Sequence, residues 1–90
     1  MTCQTPTFGV AVAGKWRFNV APGSGASRID YIIDGVDRGI YDGSPTNFSE
    51  DRSNAELAAV RVGSGLHSLV CRATISGSQV DSAPVGFTIP

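Results

Sequence analysis

The chain has 90 residues, 41% of them apolar, with 7 basic and 8 acidic side chains and a formal net charge of −1 at neutral pH. That length allows one small domain with a single core and little room for a deep catalytic cleft, and scattered charges of both signs leave no basic stripe, so nucleic acid is excluded as the expected partner. No apolar run is long enough to insert in a membrane, and residues 1–6 lack the charged and apolar regions of a secretory signal, so the chain is expected to be either a cytoplasmic product or a segment excised with Met1 at its start.

Eleven Gly and five Pro, spaced between short apolar runs, suit an all-β protein and not a disordered one. Residues 1–6 read as a flexible amino-terminal segment. Thr7 to Ala13 alternates, with Phe8, Val10 and Val12 on one face, and predicts a first, edge strand. After a turn at Gly14-Lys15, Trp16, Phe18 and Val20 alternate with Arg17 and Asn19, which places Trp16 in the core. Ala21 to Ser27 is a loop, since Pro22, Gly23 and Gly25 break regular structure.

Ile29 to Tyr41 is the clearest stretch of the chain. Ile29, Tyr31 and Ile33 recur at period two, Asp34-Gly35 tolerates positive φ at both central positions of a type I′ turn, and the returning strand starts at Val36 opposite Ile33. Asp42 to Thr46 is a break, after which Phe48 stands as an apolar anchor among polar residues. Asn54 to Val62 opens either as a helical turn capped by Ser53 or Asn54 or as a strand; the β-prone Val60-Arg61-Val62 favours a strand over its second half. Leu66 to Ile75 is a strand with His67, Leu69, Cys71 and Ala73 on one side. Ser76-Gly77-Ser78 turns it, and Val85, Phe87 and Ile89 form the last inward face. About seven strands separated by regular turn signals predict a two-sheet antiparallel sandwich.

Three segments carry a family resemblance: Ile29-Asp30-Tyr31-Ile32-Ile33-Asp34-Gly35, then Gly65 to Leu69 leading into Cys71-Arg72-Ala73, then Ser82-Ala83-Pro84-Val85-Gly86-Phe87-Thr88-Ile89. In that order and spacing the chain resembles the bacterial immunoglobulin-like domains over about residues 7 to 90. It departs from them at Thr74-Ile75-Ser76, where an Asp usually precedes the turn, and in a longer insertion between Phe48 and Gly63. The resemblance implies a single immunoglobulin-like domain over residues 1–90. It further implies a non-catalytic module beside enzymes, adhesins or other surface proteins, or on phage virions.

The chemistry-bearing residues point the same way. His67 is the only histidine, so no two-histidine metal site is possible, and no G-x-S-x-G elbow surrounds any serine; a ring hydrogen-bonded to a nearby loop is the expected role. Asp34, Asp37 and Asp42 lack the spacing of a calcium loop, and turn chemistry explains Asp34. No catalytic, cofactor-binding or metal residue is therefore assigned, and no cofactor or enzyme activity is expected. A surface glycan needs flat exposed aromatics, for which Tyr41, Phe48 and the surroundings of Ile32 are the candidates. Asn47-Phe48-Ser49 fits a glycosylation acceptor, a triplet that also arises by chance. The functional expectation is an interaction module docking on a protein assembly such as a capsid, at a virion or cell surface, with a spacer or carbohydrate-binding accessory module as the alternative.

The two cysteines are expected to be free thiols, Cys71 buried and Cys3 exposed and reactive. In an immunoglobulin-like strand order Cys3 falls beyond the end of the first strand, whereas Cys71 lies about 13 Å up the sixth, too far for a bridge unless the amino-terminal segment folds back along the sheet.

Overall fold

The computed structural model describes residues 2–9, 12–20, 25–43 and 49–90. Among them the chain forms eight strands and one short helix: β1 (Thr7–Phe8), β2 (Lys15–Asn19), β3 (Arg28–Ile33), β4 (Val36–Asp42), β5 (Ser49–Ser53), α1 (Asn54–Ala59), β6 (Gly65–Ile75), β7 (Ser78–Asp81) and β8 (Val85–Ile89). They make two antiparallel sheets, one of order β1-β2-β5 and one in which β4, β3 and β6 lie side by side with β7 and β8 on the far edge of β6.

The core sits between the sheets because each alternating strand turns its apolar residues the same way. The Phe18 ring of β2 packs 5.7 Å from Tyr31 of β3 and 5.8 Å from Phe87 of β8, so one side chain touches both halves of the opposite sheet. Trp16 is 7% exposed, two residues along the same face, with its ring 5.7 Å from Phe87. Leu69, Cys71 and Ala73 are buried on one side of β6, and Phe87 and Ile89 on β8, as the alternation predicts.

Between β3 and β4 both turn residues have positive φ, 54° at Asp34 and 77° at Gly35, and Ile33 pairs with Val36. These are the conditions of a two-residue type I′ hairpin. A Cβ at Gly35 would meet nothing within 4 Å, so the cost of a side chain there is backbone strain alone. Gly35→Val is expected to destabilise the domain by about 1–2 kcal/mol, and Gly35→Asn by much less. Denaturant titration of the two variants checks this, and equal midpoints would contradict the turn.

Four expectations are corrected. The first strand is short: β1 is two residues, Gly9 turns away with φ 72°, Val12 accepts a turn hydrogen bond from the Lys15 N–H, and Val10 and Ala11 lie outside the described residues. The same holds for Ala21–Ser24 of the predicted loop and for Ser44–Phe48, including the anchor Phe48.

Val60-Arg61-Val62 is not a strand. Ser53 caps α1 through a reciprocal box in which its hydroxyl accepts from the Glu56 N–H (3.1 Å) and the Glu56 carboxylate accepts from the Ser53 N–H (3.0 Å). The helix closes with Arg61 at φ 68° and bonds from Val62 N–H to Leu57 C=O and from Arg61 N–H to Ala58 C=O, a Schellman ending. Leu57 and Val62 are both buried in the core, and that burial outweighs the β propensity of the two valines.

The strand that pairs with β2 is instead Ser49–Ser53, a polar run. Arg17 and Asp51 stand opposite each other and form a bidentate pair at 2.8 and 2.9 Å, while Glu50 and Arg52, opposite Phe18 and Trp16, pair with each other at the rim of the core (2.8 Å). Cross-strand partners of this kind compensate for weak intrinsic propensity.

The amino-terminal segment is tied down. Gln4 N–H donates to the Asn19 carbonyl, Cys3 bridges Val20, and a disulfide joins Cys3 to Cys71 with Cα atoms 5.5 Å apart. Pairing with β2 thus continues back from Thr7 past the buried Pro6 to Cys3. Cys3 lies alongside the end of β2 rather than beyond the sheet, which removes the distance that had argued against the bridge.

Candidate functional site

The densest polar network joins the β3–β4 turn to the loop after α1. His67, at the start of β6, has Nδ1 2.7 Å from Asp34 Oδ2 and Nε2 2.6 Å from the Gly63 carbonyl. The other Asp34 oxygen accepts from the Ser68 N–H at 2.9 Å. From β4, Arg38 donates to the Val60 carbonyl at the end of α1 (3.0 Å), where a cation also meets the negative end of the helix. His67 thus takes the expected role, a ring tied to nearby loops, with both nitrogens engaged.

A carbonyl and a carboxylate are both acceptors, so the imidazolium, which donates from both nitrogens, suits this cradle. The Asp34 carboxylate foremost, then the Gly63 carbonyl, hold the His67 pKa above its ordinary 6.5, against the opposing effects of burial and of Arg38. The hydrogen bond from His67, then that from the Ser68 N–H, hold Asp34 below its ordinary 3.8. A raised histidine contributes stability in full below its unfolded pKa and loses it as pH rises through the folded one; a lowered carboxylate contributes above its unfolded value and loses it as pH falls through the folded one. Stability is therefore expected to decline as the pH is raised past about 6.5, and His67→Gln should flatten that decline. Melting curves across pH check this; a slope unchanged by the substitution would show that another group is responsible.

The remaining candidates do not converge. Asp37 Oδ1 accepts from the Gly39 N–H within its own strand (2.9 Å), and Asp42 is buried at the opposite end of β4 from Asp34. Among the described residues no group of three or more His, Cys, Asp or Glu side chains comes together as a metal cage would require. Tyr41 is exposed, but the Arg28 guanidinium lies over its ring, 4.0 Å from the centroid, and occupies the face a sugar would stack on. Arg28 is held there by Asp30, with contacts of 2.9 to 3.1 Å. Among the described residues no helix is long and apolar enough to cross a membrane.

Sequence reasoning missed Phe8. It is 48% exposed, stands edge-on to Trp16 with ring centroids 5.1 Å apart, and lines a small pocket with Trp16, Asn54 and Pro90. Asn54 is positioned there by the Trp16 Nε1–H, which donates to its side-chain oxygen at 2.7 Å. The alternation over residues 7–13 set Phe8 on an apolar face and gave no sign that the strand would stop after it.

No protein-family model, no curated protein and no solved structure matches this chain.

Proposed function

We propose that the chain is an immunoglobulin-like, non-catalytic interaction module that docks on a larger surface assembly such as a virion. The observation that carries this reading is the placement of the three resembling segments. Residues 29–35, 65–73 and 82–89 contribute β3, β6 and β8, which lie side by side in one antiparallel sheet and face the second sheet across an aromatic core. The chemistry supports it as well: the sole histidine has both ring nitrogens committed to Asp34 and Gly63, and the exposed Tyr41 face is taken by Arg28. The Cys3–Cys71 bridge fits an oxidising setting at a virion or cell surface.

The test is co-sedimentation of the purified chain with virions, with cell envelopes and with insoluble polysaccharides. The expected result is pelleting with virions or envelopes and not with glycans. Retention by polysaccharide alone would overturn the docking reading in favour of a carbohydrate-binding accessory module.

A further inference from the structure

The far edge of the five-stranded sheet is made by β7 and β8, which pair with successive parts of β6 and with no other described strand. Beyond β6, β8 therefore presents a row of backbone N–H and C=O groups whose natural complement is another extended strand. The edges differ in how they are protected. Of the edges longer than the two residues of β1, β4 carries Asp37, Arg38 and Asp42, β5 carries Glu50, Asp51 and Arg52, and β7 ends in Asp81, whereas β8 is Val85-Gly86-Phe87-Thr88-Ile89 with no charge. Charge and internal Pro are the usual means of keeping an edge from pairing. Pro84 and Pro90 bracket β8 without interrupting it.

We propose that β8 is a self-association edge: two copies of this chain pair β8 against β8, antiparallel about a twofold axis, merging their five-stranded sheets into one. A second copy is the occupant that the edge itself specifies, because a strand edge is complementary to a strand edge and twofold pairing is self-complementary. With no charge on β8, the copies bring no like charges face to face. Centring the axis on Phe87 uses the whole strand and sets Val85 opposite Ile89 and Gly86 opposite Thr88.

Two neighbouring features suit this arrangement. Leu66, which at 78% is the most exposed large apolar side chain described, lies beside Gly86 and opposite Thr88 on the outer face, where an added strand screens it from water. At the other end, the centred register brings the copy's Pro84 opposite Pro90, beside the pocket of Phe8, Trp16 and Asn54.

The test is sedimentation of the purified chain over a concentration series, and it is independent of any docking partner. The expected result is a species of twice the chain mass whose fraction grows with concentration. Gly86 has no positive φ and a Cβ there meets only ordinary contacts at 3.8 and 3.9 Å, and Thr88 is exposed, so Lys at either position leaves the fold intact. The double variant Gly86→Lys, Thr88→Lys sets Lys against Lys across the axis and should weaken association by about tenfold or more, with circular dichroism and melting in dilute solution unchanged. Mixing it with the double variant Gly86→Glu, Thr88→Glu sets Lys against Glu and should restore association, and mixing the single variants Gly86→Lys and Thr88→Glu, whose new side chains also face each other, should associate more tightly than either alone, which keeps the test valid if the double variants misfold. A wild-type chain that stays monomeric up to its solubility limit, or a dimer indifferent to these substitutions, would overturn the proposal.

Discussion

Reducing the Cys3–Cys71 bridge is expected to lower the free energy of unfolding by about 4 kcal/mol and the melting temperature by on the order of 20 °C. The bridge closes a loop of sequence separation 68, and a cross-link across so long a span removes much of the freedom of the unfolded chain in the chain-entropy account. In the folded state it fastens the segment beside Val20, on the three-stranded sheet, to the middle of β6 in the other. Both cysteines are buried, at 4% and 0% exposure, so the native protein should show no titratable thiol, and two should appear only after denaturation with reductant. For a domain whose whole margin is of the order of 5–15 kcal/mol, Cys3→Ser should be the most damaging change at the amino terminus. Two titratable thiols in the unreduced, denatured protein would show that the bridge is absent.

Replacing Trp16 with Ala is expected to cost about 3–5 kcal/mol. The indole fills the space between Phe8 and Phe87, with ring centroids 5.1 and 5.7 Å away. Its removal leaves a cavity beside Phe87 at the end of the core. Trp16→Phe should cost far less, losing mainly the hydrogen bond to Asn54, worth about 1 kcal/mol, because Asn54 is exposed and returns to water. Denaturant titration of both variants, with quenching of the wild-type indole, checks the pair. An indole freely reached by quencher and an Ala variant of unchanged stability would show that β2 presents its other face to the core.

What the sequence made legible was whatever followed from period and turn chemistry. Trp16, Phe18 and Val20 mark the inward face of β2, Asp34-Gly35 marks the hairpin, and Val85, Phe87 and Ile89 mark β8, because burial and positive φ act on those residues directly. β5 was not legible because Ser49–Ser53 has no apolar period; its place depends on the pair between Asp51 and Arg17, a partner that appears only once β2 lies beside it. β7 is short and exposed throughout, and its pairing follows from the turn at Ser76 and Gly77, both at positive φ. A helical turn capped by Ser53 or Asn54 stayed open beside a strand until Ser53 and Glu56 were seen to close a capping box, and the β-prone valines at 60 and 62 pointed the second half the wrong way. The disulfide escaped because its geometry depends on pairing that continues past Pro6 to Cys3, whereas strand counting placed Cys3 beyond the sheet. At the candidate site, the role of His67 followed from its being the sole histidine, while Phe8 and the pocket beside it depended on where β1 stops.

The arrangement of the three resembling segments in one sheet, facing β2 across the core, is tested most directly by nuclear Overhauser contacts in solution. Cross-strand backbone contacts are expected between Tyr31 and Cys71 and between His67 and Phe87, together with ring contacts from Phe18 to both Tyr31 and Phe87. A spectrum in which Phe87 neighbours a strand other than β6, or in which the Phe18 ring contacts neither Tyr31 nor Phe87, would contradict it.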